Sequence, residues 1–114
     1  MPHPTRGLAP DLLEQVLEKL GLNRQPEPSF SGLKTLYAAW CQKVPFDNVR
    51  KLIHLRQGDS GPLPGDEATD FFNAWLRYSC GATCWGGNGA LHTLLSTLGF
   101  ESVRGYGTML VAPD

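Results

Sequence analysis

The run Cys80-Gly81-Ala82-Thr83-Cys84-Trp85-Gly86-Gly87-Asn88-Gly89 places two thiols and four glycines in ten residues, directly ahead of an apolar helical pattern. A thiol at the start of a helix meets free backbone N–H groups and a partial positive charge. Both favour the thiolate, which is the nucleophilic form. Gly86, Gly87 and Gly89 remove side chains around Cys84, which permits close approach of a ligand or tight helix packing. The same spacing also reads as a small buried hydrophobe at Cys84. Cys80 and Cys84 lie four apart. A metal reading needs further ligands, and only His92 is close in sequence. A reversible Cys80–Cys84 disulfide stays open, although the CxxC spacing of redox enzymes is absent. Cys41, beside Trp40 in a helical pattern, reads as a buried thiol. Thiol catalysis needs a base within reach of sulfur and a group to orient that base. The histidines are His3, His54 and His92, and none is tied to Cys84 by spacing. The chain is therefore expected to lack its own base.

With 114 residues, 41% hydrophobic and 18% charged, the chain is long enough for one domain with a real core. A net charge of -1 and a pI near 6.3 weigh against nucleic acid, and no basic cluster is denser than Arg50-Lys51. The first residues carry no apolar run of signal-peptide type, and no stretch approaches the roughly 20 apolar residues of a membrane span. The expectation is a cytoplasmic protein with reduced thiols and neither a nucleic-acid nor a membrane partner.

The elements that must position these residues follow from periodicity and punctuation. Residues 1–9 read as a flexible arm. Leu12, Leu13, Val16, Leu17 and Leu20 predict a helix over about 10–20, stopped by Gly21. After Gln25-Pro26-Glu27-Pro28, Ser31 is a candidate cap for a second helix carrying Leu33, Leu36, Tyr37 and Trp40. Asp47 caps, or lies in the first turn of, a short third helix through Ile53. Residues 57–66 are loop by composition. A fourth helix carries Phe71, Phe72, Trp75 and Leu76. A fifth spans 88–98, with Leu91, Leu94, Leu95 and Leu98. Residues 100–111 read as one strand, bent at Gly105 and Gly107. A strand alone leaves its backbone unpaired. The reading is therefore α+β: a helical domain over 10–79, then 80–114 as the cysteine helix and first strand of a β domain continuing beyond this chain.

Three segments resemble the arylamine N-acetyltransferase family. Lys43-Val44-Pro45-Phe46-Asp47-Asn48-Val49 is similar to its "vPFENl" segment, Cys80 to Asn88 to its "RGGxCxELN" segment, and Leu98-Gly99-Phe100 with Val103 to its "lGFxv" segment. The resemblance implies a papain-like cysteine-acyltransferase sheet and a catalytic Cys84. The thiol would take an acyl group from acetyl-CoA or another acyl thioester and pass it to a small-molecule amine. Phe46, Cys80, Gly81, Trp85, Gly86, Gly87 and Asn88 would support the site, with no metal. The base histidine and its aspartate would come from the remaining C-terminal portion of the enzyme, continuous with this piece or as a separate chain. The sequence departs from the family at Cys80 (arginine), Ala82 (glycine), Gly86 (glutamate), Gly87 (leucine) and Asp47 (glutamate). Joint loss of the arginine and glutamate avoids a lone buried charge. The smaller residues point to a roomier alternative, an amide synthase or hydrolase acting on an acyl chain held by an acyl carrier protein. A different class is a non-catalytic helical interaction module, which predicts a buried, inert Cys84 and a fold that stands without a sheet.

Overall fold

The computed structural model describes residues 7–58, 61–105 and Gly107. They form five helices in chain order: α1 (Pro10–Lys19), α2 (Phe30–Lys43), α3 (Val49–Arg56), α4 (Ala68–Tyr78) and α5 (Cys84–Thr97).

Local chemistry accounts for most of the boundaries. Pro10 opens α1 with its φ already helical, Asp11 sits in its first turn and Lys19 in its last, each matching the helix dipole. At the end of α1 the Gly21 N–H donates to Glu18 O at 3.0 Å and the Leu22 N–H to Leu17 O at 3.0 Å. Gly21 takes φ +82°, so this is a Schellman closure. The end of α5 repeats it, with Gly99 N–H to Ser96 O at 3.2 Å and Phe100 N–H to Leu95 O at 3.0 Å. Ser29 caps α2, its Oγ accepting from the Gly32 N–H at 3.1 Å. The cap thus lies two residues before the expected Ser31, which is inside the helix. Val44 leaves helical geometry ahead of Pro45. Ser79 ends α4 at φ 55°, where Lys19 Nζ donates to its Oγ at 2.9 Å and also to Trp75 O.

The core centres on α4, which packs against α1 and α5. Val16, Leu36, Phe71, Phe72, Trp75 and Leu94 are its fully buried side chains. The Trp40 ring brings α2 in, stacked on Phe71 at 6.0 Å and edge-on to Phe72 at 5.9 Å. Trp75 Nε1 donates to Lys43 O at 3.1 Å, so its one polar atom is satisfied inside the core. Of the expected arm, 7–9 are described. Leu8 is buried, and its N–H donates to Thr97 Oγ1 at 3.0 Å.

The α+β expectation is corrected. Among the described residues there is no strand, and the β-type pairing is one isolated parallel bridge, Phe46 with Ala82. Of the expected strand, 100–105 and Gly107 are irregular backbone, while 106 and 108–111 lie outside the described residues. The fifth helix also begins four residues earlier than expected, at Cys84. Its first turn is rich in glycine, which conceals helical periodicity.

Replacing Trp75 by alanine is expected to lower stability by about 3–5 kcal/mol through lost burial and the cavity left behind. Replacing exposed Trp85 is expected to change it by less than about 0.5 kcal/mol. Urea unfolding of both variants checks the contrast.

Candidate functional site

Two stretches distant in sequence meet in front of α5. The Phe46–Ala82 bridge is reinforced by Asp47 N–H donating to Ala82 O at 3.2 Å. The Asp47 carboxylate then accepts twice, Oδ2 from the Gly81 N–H at 2.7 Å and Oδ1 from the Val49 N–H at 3.2 Å. Asn48 occupies the N-cap position of α3, so Asp47 stands one residue ahead of the cap, neither the cap nor in the first turn as expected. It fastens the start of α3 to the loop that leads into α5. Between them lies a cavity of about 200 Å³ whose wall includes Asp47, Arg50, Lys51, Asp66 and Trp85.

The glycines divide by role. A Cβ on Gly81 would stand 1.8 Å from Pro45 O, and one on Gly86 would stand 2.9 Å from Ala82 Cβ and 3.0 Å from Gly65 O. Both are close-packing positions. Gly87 faces open space.

Cys84 is the first residue of α5 and is exposed, as are Trp85 and Asn88. The burial expected of Cys84 in a non-catalytic module is therefore corrected. Cys80 is half-buried, its Sγ 3.6 Å from Ala74 O. Cys41 is exposed rather than buried. Its hydrogen bond and charge, in that order, push the Tyr37 hydroxyl above its usual pKa. Cys84, Trp85, Asn88 and His92 share an open cleft with Ser102 and Arg104. His92 stands eight residues beyond Cys84 on the same helix, about 12 Å along its axis, which is beyond hydrogen-bond reach of the thiol. Its Nδ1 instead pairs with Ser102 Oγ at 2.7 Å. Among the described residues no three His, Cys, Asp or Glu side chains gather as a metal centre, and no Cys–His–Asp constellation is formed.

Over 88 residues the chain is 30% identical to an arylamine N-acetyltransferase of Mycolicibacterium smegmatis, a match over 77% of this chain and 30% of that protein. The chain thus spans under a third of the curated relative it matches. No protein-family model matches it, and no solved structure does. The likeness is one of sequence over a limited stretch. The expectation of a sheet-bearing acyltransferase is overturned by the helical fold of the described residues and by the absence of a triad among them. With it falls the reading of this chain as an acyl-cysteine enzyme. No described helix is long and apolar enough to cross a membrane.

The short third helix is expected from sequence, but its exposed apolar face is not. Val49, Leu52, Ile53 and Leu55 are half or more exposed, Phe46 just ahead of them is 73% exposed, and no residue of α3 is buried. Of its Lys and Arg side chains, Arg50 and Lys51 are turned inward, while Arg56 is exposed. Arg50 Nη2 reaches Asp70 Oδ1 and Oδ2, both at 3.2 Å, and Lys51 lines the cavity. Spacing at i, i+3 and i+4 signals an apolar stripe, but it does not say which way the stripe faces.

Gly81→Ala is expected to cost at least about 2 kcal/mol by driving Cβ into a backbone carbonyl. Gly87→Ala is expected to gain about 0.5–1 kcal/mol from reduced backbone entropy in a helix. Denaturant midpoints report both. Timed alkylation with peptide mapping is expected to label exposed Cys84 and Cys41 ahead of half-buried Cys80.

Proposed function

We propose that this chain is a non-catalytic helical module that docks a partner polypeptide through the outer face of α3. The observation that carries the reading is the orientation of that helix, with its apolar residues in solvent and Arg50 turned to Asp70 of α4. A helix normally buries its apolar stripe, and a contiguous exposed apolar patch marks an interaction surface.

Magnitudes set what the face can do. Covering the exposed halves of Val49, Leu52, Ile53 and Leu55 is worth about 1 kcal/mol each. That only matches the low end of the roughly 4–15 kcal/mol lost on association. Durable binding therefore needs further anchors. Phe46, next in line, and Trp85, at 63% exposed on the cavity that Lys51 also lines, supply aromatic area beside the stripe.

A photo-crosslinker placed at Ile53 is expected to give one discrete adduct with a partner protein in the native cell, and one placed at Lys34 on exposed α2 surface to give none. Leu52→Asp with Ile53→Asp is expected to abolish the adduct while leaving the helical signal and melting temperature unchanged. An acyl adduct formed from acetyl-CoA in intact-mass spectra, and lost in Cys84→Ala, would overturn the reading.

A further inference from the structure

We infer that the segment from Pro45 to Gly58, α3 with its lead-in, is a lid over the cavity at the start of α5, and that it lifts as one unit when Asp47 releases Gly81. Lifting and docking on the outer face of α3 are separate properties, because the first follows from how the helix is attached and not from what covers it. No apolar side chain of α3 belongs to the hydrophobic core or packs against it, whereas Val44, just before the segment, does pack there. Little burial is therefore lost when the helix leaves. Its start is fastened by polar contacts. The Asp47 carboxylate holds the Gly81 N–H at 2.7 Å, the Asp47 N–H donates to Ala82 O at 3.2 Å, and Phe46 bridges Ala82. Farther along, Arg50 reaches Asp70 in a partly exposed pair of small worth, and His54 is engaged as well.

The segment forms one wall of the cavity. Asp47, Arg50 and Lys51 line it from the lid, and Thr83, Trp85 and Gly86 from the α5 side. The two ends suit hinging. At one end the chain leaves the core between Val44 and Pro45. At the other, Gly58 takes φ +68° with open space at the place of a Cβ. The bond from the Val49 N–H to Asp47 Oδ1 lies within the segment and travels with it. The bond to Gly81 crosses to the body and must break. Gly81 is buried beneath this contact, so its N–H meets water only when the lid is up. Elements with few buried apolar contacts open locally, as cooperative units, well below the free energy of global unfolding. Opening turns the cavity into a groove and uncovers the loop that enters α5.

Native-state hydrogen exchange of the full chain, resolved by residue, tests this. The amides of Asp47, Gly81 and Leu52 to Arg56 are expected to share one protection level, at least roughly a hundredfold below that of Trp75. Low urea is expected to leave that level flat while Trp75 loses protection. Val16→Ala, a core change on α1, is expected to lower Trp75 protection at least roughly tenfold. It leaves the α3 amides where they were, because it weakens the closed and lifted forms alike. Asp47→Ala is expected to speed exchange of the α3 amides at least roughly tenfold, since the bonds it removes are to a charged acceptor. Asp47→Asn, which keeps an acceptor oxygen, is expected to fall between. Fraying of α3 with Asp47 and Gly81 still at the Trp75 level would overturn the lid. So would α3 protection that falls in step with Trp75, in urea or in Val16→Ala; the urea series on the unaltered chain decides if that variant does not fold. Unchanged α3 exchange in Asp47→Ala would overturn the latch. The crosslink at Ile53 reports docking, and none of these rates depends on it.

Discussion

The double acceptance by the Asp47 carboxylate is the constraint on which the arrangement around α3 and α5 depends. One oxygen holds the N–H of Gly81, distant in sequence, and the other holds the N–H of Val49, which begins α3. Hydrogen bonds to an ionised acceptor are the stronger kind. Here they act together with the Phe46–Ala82 bridge, so the chain between Pro45 and Val49 is fixed at several consecutive points. Gly81 is what lets the two strands of backbone come this close, since Pro45 O occupies the place of a Cβ. The two residues form one device, an acid that reaches across and a glycine that admits it.

The orientation of α3 follows from this anchoring more than from its own ion pair. Arg50 reaches both oxygens of Asp70 through a single nitrogen, which is not the two-pronged fork that makes such pairs strong. The two side chains are 30% and 47% exposed, so the pair contributes only about 0–1 kcal/mol. That is too little to hold four large apolar side chains in water against the alternative of rolling them inward. A helix whose first residue is fastened, and whose inner neighbour is a carboxylate already bonded to the Gly65 N–H at 2.7 Å, has little freedom to roll.

The helical part of the fold was legible because its signals are local. The Leu-Gly pairs at 20–21 and 98–99 announce Schellman closures, and the leucine spacing of α1 and the aromatic spacing of α4 announce buried faces. Three features were not legible. The choice of Ser29 over Ser31 as a cap depends on backbone geometry at residue 29, not on residue type. The start of α5 was hidden because Gly86 and Gly87 show no periodicity. The strand reading of 100–111 relied on β-branched and aromatic content, which reports fitness for a pleated surface and supplies no neighbour to form one. For the site, sequence drew attention to Cys84 and the glycines. The fastening of Asp47 to Gly81, and the outward turn of α3, are tertiary facts that spacing does not encode.

The glycine-rich turn that looked like a catalytic loop has a packing explanation for part of its composition. Glycine within a helix is about 0.8–1 kcal/mol less favourable than alanine, so its presence calls for a compensating contact. Gly86 has one. It is buried where the Gly65 carbonyl and Ala82 leave no room for a Cβ, and Gly65 itself sits at φ +87° with its N–H on Asp70. The α5 start, the loop before α4 and the α3 partner acid are thus joined through one glycine contact. Gly89, also buried, has the Arg104 guanidinium 3.4 Å from the place of its Cβ, which lets the segment after α5 lie close along the helix. Nothing in the packing explains Gly87. A motif of this kind brings three backbone segments together at the mouth of α5, and close approach of backbone meets that need with no reaction at Cys84.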